Sequence, residues 1–287
     1  MSYPKQIGPF IRYEKTPNDI CYGAIYTLDV ELPVLYYPKR TIRVFLPEDY
    51  DANKSFPVLF MSDGQNIVDK YTSAFGAWEI DKRQHELIKE GYKSFIVVGI
   101  DCPIGPNERA LEYSFPFIHI DNNKFREYEK TVGLRFESHL LYKHIAETLF
   151  PLVNKYFSIS KNRADIACCG SSMGGVFALS LLTSYPDLFG CALCMSPGYF
   201  LYNKEEVKKY LDERMKNIDK EHKLFFYSGN VGFESQFLED TKGVYSYFVS
   251  KGFSNKKIGL LIDLEAEHNE YCWSKHFPEA VKFWQNL

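Results

Sequence analysis

The chain has 287 residues, 45% apolar and 25% charged, a balance that excludes a disordered, collagen-like or coiled-coil protein. Lys and Arg total 34 against 37 Asp and Glu, so the formal charge is −3 and no basic excess exists to neutralise a nucleic-acid backbone. No run approaches the roughly 20 apolar residues that span a bilayer, and the first ten residues lack the apolar core of a secretory signal, so a soluble cytoplasmic protein is expected.

In chain order, residues 22–30 and 41–46 are rich in β-branched and aromatic residues, with Pro on their flanks, and predict strands. Residues 56–64 (FPVLFMSDG) read as a short buried strand ending in a turn. A helix follows over 79–90 and a strand over 94–100. The periodic segment 139–157 predicts a second helix, followed by a strand over 165–169, a helix over 174–184 and a strand over 191–195. The alternation continues with strand 224–227, helix 236–251, strand 257–264 and a closing helix over 278–284. Short apolar runs alternating with helices predict an α/β fold, a mostly parallel sheet covered on both faces with antiparallel strands at its N-terminal edge. No linker, repeat or charge block divides the chain, so one domain over 1–287 is expected. The long connection 101–138 stands out for its Pro, Gly and aromatics and predicts a packed cap.

Seven cysteines, Cys21, Cys102, Cys168, Cys169, Cys191, Cys194 and Cys272, are an odd number, several inside apolar runs, and read as reduced thiols. Cys191 and Cys194 have a redox-like spacing, but strand alternation would point them to opposite faces. No cluster has structural-zinc spacing, and no metal or cofactor is expected.

The sharpest signal is Gly170-Ser171-Ser172-Met173-Gly174, a G-x-S-x-G pattern between a predicted strand and a predicted helix. A tight turn there lifts the Ser172 hydroxyl clear of the sheet and aims the Met173 amide at a developing oxyanion. Ser171 competes as a hydroxyl, but only Ser172 is flanked symmetrically by glycines. A serine needs a base. His268 follows the last predicted strand, at the sheet edge where α/β proteins build sites, and is the candidate. His85, His119, His139, His144, His222 and His276 have bland alternatives on helices, in a strand, in a late turn or in the long loop. The acid is expected after strand 224–227, with Glu234, Glu239 and Asp240 as candidates; Glu234 precedes the helix and is favoured. The loop Ser62-Asp63-Gly64-Gln65-Asn66 offers a second oxyanion donor in the amide of Gln65, with Gly64 permitting close approach. Arg109, Tyr113, Phe115 and Phe117 could line a substrate pocket, with core packing of the cap an equal reading of the aromatics, and Trp78 and Trp273 could flank the site or pack in the same way.

Residues 56–66 (FPVLFMSDGQN), 73–81 (SAFGAWEID), 96–101 (IVVGID) and 107–114 (NERALEYS), together with the Gly170–Gly175 turn and His268-Asn269-Glu270-x-x-Trp273, resemble the esterase family of α/β-hydrolases. That family includes enterochelin esterases, S-formylglutathione hydrolase, feruloyl and acetylxylan esterases and mycolyltransferases. The resemblance runs from about residue 40 nearly to the end. It implies an α/β-hydrolase fold and a Ser–His–acid triad of Ser172, His268 and an acid without metal. Glu stands at position 234 where Asp is commoner.

The reading is a serine carboxylesterase acting on a small or aromatic acyl ester through an acyl-enzyme, its partner a small-molecule ester. An acyltransferase with the same nucleophile, a siderophore esterase and a non-catalytic binding protein on the same scaffold are the alternatives. The physiological ester is not readable from the sequence. A homo-oligomer is compatible with it.

Overall fold

A computed structural model describes residues 3–14, 21–34, 37–68, 71–73, 76–121 and 137–285. Ten strands form one sheet in the order β1-β2-β3-β4-β6-β5-β7-β8-β9-β10. The first four are β1 (Gln6–Ile7), β2 (Phe10–Arg12), β3 (Ala24–Glu31) and β4 (Lys39–Leu46), all antiparallel to their neighbours. The other six, β5 (Val58–Ser62), β6 (Ile96–Ile100), β7 (Ile166–Ser171), β8 (Cys191–Met195), β9 (Lys223–Ser228) and β10 (Ile258–Ile262), run parallel to one another. The mixed sheet with antiparallel N-terminal strands therefore stands as expected.

Strand alternation sorts the core into two layers. Val58, Phe60, Cys168 and Cys194 face one apolar cluster, while Leu59, Met61, Cys169 and Cys191 face the other. Cys191 and Cys194 thus lie on opposite sides of the sheet, as the period-2 argument requires. Both are buried, and burial pushes the Cys194 thiol up to about 12.

Among the described residues the α-helices are α1 (Ile80–Lys89), α2 (Pro106–Glu112), α3 (Ser138–His144), α4 (Phe150–Tyr156), α5 (Met173–Ser184), α6 (Lys204–Arg214), α7 (Ser235–Ser250) and α8 (Glu270–Gln285). α3 and α4 are joined by a π-helical turn, Ile145–Leu149. Pro151 enters just beyond it without an N–H to give the preceding turn, which accounts for the wider winding. α5 is buried almost all round, consistent with its place against β7 and β8.

Two departures from the sequence reading have physical causes. The closing helix begins at Glu270, because Pro278 sits inside it rather than in its first turn, and His276 is therefore helical rather than in a turn. Helix α6 was not anticipated, although Asn203 caps it by accepting from the Glu205 amide at 3.0 Å and the Glu206 amide at 3.3 Å.

In the long connection, α2 leads into residues 113–121, and Leu111, Tyr113, Phe115, Ile118 and Ile120 are buried in the core. The Phe115 ring meets Tyr210 at 5.0 Å and Tyr202 at 5.1 Å. This part of the expected cap is packed. Residues 122–136 lie outside the described residues.

Candidate active site

The C-terminal ends of the parallel strands bring the distant segments together. Ser172 follows β7 with φ 59° and ψ −122°, a conformation that a non-glycine residue adopts only at a cost of about 1–3 kcal/mol. Neighbours hold it there. Its amide donates to the Met195 carbonyl at 2.9 Å, and its carbonyl accepts from Gly175 at 3.0 Å and Gly198 at 3.1 Å. A Cβ at Gly170 would lie 2.3 Å from Ser62 Oγ and 2.5 Å from the Gly174 carbonyl oxygen; one at Gly174 would lie 2.2 Å from Ser62 Oγ. Both glycines are therefore needed where β5 and the turn converge. Ser171, the competing hydroxyl, is the last residue of β7 and is buried.

Glu234 is 0% exposed, at the end of a 3-10 turn before α7. Its Oε2 pairs with His268 Nδ1. Its Oε1 accepts from the Gly229 amide at 2.7 Å and from the Ser196 hydroxyl. Ser196 in turn accepts from Trp273 Nε1 at 2.9 Å. The loops carrying Glu234 and His268 are fastened together, since the Asn230 and Val231 amides both donate to the Ala266 carbonyl, at 3.2 and 3.0 Å. Gly229 permits this approach, because a Cβ there would sit 2.4 Å from that carbonyl oxygen. Glu239 and Asp240 fall on α7 and pair with Lys242 and Lys204. His222 and His276 hydrogen-bond to Asp219 and Asp263, and His85 pairs with Glu48.

The imidazole is packed as well as bonded. Phe237 stacks on it at 4.2 Å between centroids, and Trp273 and Phe233 meet it edge-on at 4.8 and 5.2 Å. The geometry joins Glu234 to His268 directly. Ser172 and His268 share no hydrogen bond among the described residues; the link between their segments runs through Met195 and Ser196 at the end of β8.

On the other side of Ser172, after β5, Asp63 takes a left-handed conformation (φ 55°, ψ 51°) and opens the turn Gly64–Asn66. Arg109 grips Asp63 with a two-pronged contact, Nε to Oδ1 at 2.7 Å and Nη2 to Oδ2 at 2.8 Å, and Nη2 also approaches the Ser171 carbonyl at 3.4 Å. The Tyr113 hydroxyl accepts from the Asp63 amide at 3.1 Å. The Gln65 side chain holds Cys102, accepting from its amide at 3.0 Å, and Asn66 donates to Glu270 at 3.1 Å. Burial, and to a lesser degree the nearby Asp63 charge, raise the Glu270 carboxyl above its ordinary value. Burial pushes the Cys102 thiol up to about 12. The backbone amides of Gln65 and Met173 have no acceptor among the described residues.

Several residues expected at a substrate surface are placed elsewhere. Tyr113 is 1% exposed and Trp78 2%, and Trp78 stacks behind Trp273 at 6.1 Å, so both support the site from beneath. Gly64 makes its close approach to β6, where a Cβ would meet the Gly99 carbonyl carbon at 2.6 Å. Arg109 is committed to Asp63 rather than open to a ligand. Trp273 touches the imidazole but is itself buried. Sequence reasoning missed Ser196 and Asp63; a positive φ at each, 43° and 55°, is the structural signature, and a strand ending in Ser or Asp before Pro or Gly is its faint trace in sequence. Among the described residues, no group of three or more His, Cys, Asp or Glu side chains could hold a metal ion. No described helix is long and apolar enough to cross a membrane.

A family model described as "Putative esterase" matches residues 37–240. YbbA of Bacillus subtilis, an uncharacterised protein, is 23% identical over 85% of this chain and 92% of its own length. The ferri-bacillibactin esterase BesA of Bacillus subtilis is 25% identical over 60% of this chain; the match spans only 58% of BesA. Among solved structures, the BES protein from Bacillus cereus superposes with a TM-score of 0.69 at 19% identity, covering 100% of both chains, a likeness of fold.

Proposed function

The chain belongs to this esterase family, a family of carboxylic ester hydrolases, and from that premise we propose that it hydrolyses small or aromatic acyl esters with Ser172 as nucleophile, His268 as base and Glu234 as the orienting acid. The observation that carries this reading is the Glu234–His268 pair, held on the loops after β9 and β10, two and three strands from the strained serine turn after β7. Glu234 bonded to Nδ1 leaves Nε2 of the imidazole as the atom that accepts the serine proton. A hydroxyl–imidazole hydrogen bond that tightens only when substrate arrives is common in sites of this kind.

In the first half-reaction Ser172 Oγ attacks the ester carbonyl while its proton passes to His268. The oxygen gains negative charge opposite the amides of Met173 and Gln65. The imidazolium, stabilised by Glu234, returns the proton to the departing alkoxide, leaving an ester on Ser172. Water then attacks that ester as His268 accepts its proton, and the imidazolium returns that proton to Ser172 Oγ as the carboxylic acid departs.

Ser172→Ala is expected to abolish turnover of a simple chromogenic acetate ester; normal turnover by this variant would overturn the assignment. BesA is described as a ferri-bacillibactin esterase, which makes a siderophore ester the second substrate class. Chromatography of a ferric siderophore ester incubated with the protein and with Ser172→Ala separates the two classes.

A further inference from the structure

An exposed aromatic shelf lies beside His268, and nothing in the reaction described so far uses it. Phe233 is 55% exposed, and what sets it apart from the other exposed apolar side chains is that its ring packs against three neighbouring rings, one of them the imidazole of His268. It meets Phe237 at 5.3 Å, Phe200 at 6.3 Å and the His268 ring at 5.2 Å. Phe200, half-buried, also meets Phe237 at 4.8 Å. Phe200 lies two residues beyond Gly198, whose amide donates to the Ser172 carbonyl. The rings of Phe200, Phe237 and Phe233 thus lead to the imidazole from a segment whose Gly198 is bonded to the Ser172 turn.

Its position relative to the sheet gives it a role. The relevant strands run β5, β7, β8, β9, β10 across the sheet. Gln65 follows β5, Ser172 follows β7, Phe200 follows β8, Phe233 follows β9 and His268 follows β10. Gln65 and the aromatic shelf thus flank the Ser172–Met173 turn on opposite sides. In the tetrahedral intermediate the carbonyl oxygen points to the oxyanion donors, and the leaving oxygen must face the imidazolium that protonates it. Whatever is attached to the leaving oxygen then passes over the groups that border His268.

We infer that Phe233 and Phe200 form a leaving-group subsite that selects esters of alcohols carrying an aromatic or bulky apolar group. This rests on the proposed roles of Ser172 and His268 but assigns the selectivity to the alcohol, not to the acyl chain. An aromatic ring seated edge-on or offset against Phe233 gains dispersion and quadrupole attraction beyond simple area burial. A methyl or ethyl alcohol does not reach it.

The test compares kcat/KM for 2-(2-naphthyl)ethyl acetate, ethyl acetate and methyl 2-naphthylacetate, in the full chain and in Phe233→Ala, Phe233→Tyr and Ser172→Ala. Two of these esters share an acyl group and two carry naphthyl on opposite sides of the ester. The expected result is a naphthylethyl-to-ethyl preference of about tenfold or more in the unmodified protein, the size of one good aromatic contact. Phe233→Ala should remove most of that ratio and Phe233→Tyr should keep it. A ratio unchanged by Phe233→Ala, or a loss confined to methyl 2-naphthylacetate, overturns the subsite while leaving the serine mechanism standing. Turnover that persists in Ser172→Ala would instead remove the premise, and the subsite with it.

Discussion

Replacing Arg109 by Ala takes the two-pronged partner away from Asp63, whose side chain is only 6% exposed. Hydrogen bonds to charged groups contribute about 1.5–3 kcal/mol each, and breaking a buried ion pair by removing one partner costs about 3–5 kcal/mol. Arg109 itself is 24% exposed, so water screens part of the attraction and the lower end applies, about 3 kcal/mol. The catalytic consequence runs through the backbone. Asp63 holds the left-handed start of the turn that presents the Gln65 amide, and Arg109 also touches the carbonyl of Ser171, one residue before the proposed nucleophile. If that amide drifts, the loss approaches that of an oxyanion donor, about 100-fold in kcat. Arg109→Lys keeps the charge without the fork and should fall between the two, near tenfold. Urea unfolding together with kcat and KM on an acetate ester measures both effects, and Arg109→Ala with Asp63→Asn should lose less than the sum of the single variants. A raised KM with kcat intact would refute the reasoning and return Arg109 to the substrate-binding role that its loop position first indicated.

Gly170→Ala should destabilise the fold by about 1–3 kcal/mol and depress activity, because the new methyl meets backbone at 2.5 Å; Gly243→Ala, with open space around it on α7, should instead stabilise by about 0.5–1 kcal/mol, both read from denaturant midpoints. Ser196→Ala removes a donor to Glu234 and leaves Trp273 Nε1 without its acceptor, so kcat should drop about tenfold with KM little changed in steady-state kinetics. Burial, with Glu137 and Glu108 adding to it against the opposing pull of Arg40, pushes the Glu112 carboxyl up to about 8. The folded chain then keeps a proton that the unfolded chain releases above its ordinary 4.5, so this group's contribution falls as pH rises from 4.5 towards 8. Unfolding free energies measured across that range should decline, and Glu112→Gln should flatten the decline.

The sheet was largely legible because its strands are short apolar runs bounded by turn residues, and period-2 alternation placed even Cys191 and Cys194 on their two faces. Local chemistry read well wherever one residue type carries a backbone demand, as at Gly170 and Gly174. Helix α6 escaped because its residues are strongly polar and only three of them, Val207, Tyr210 and Leu211, are buried, so the apolar period is faint. The start of α8 escaped because Pro278 imitates a first-turn proline. At the site, a side chain's type could be read but not its partner. Arg109, Tyr113 and Trp78 resemble ligand contacts in sequence, yet Asp63, 46 residues from Arg109 in the chain, claims the guanidinium, and Trp273 covers Trp78. Ser196 gave no signal, since its importance lies in a bond to a carboxylate 38 positions away.

The most direct measurement is peptide mass spectrometry of the protein after treatment with a fluorophosphonate, which bonds only to a serine activated by a neighbouring base. The account predicts one adduct, on the Oγ of Ser172, formed rapidly in the unmodified chain and suppressed in His268→Ala. An adduct on Ser171, or labelling of Ser172 at the same rate without the imidazole, would contradict it.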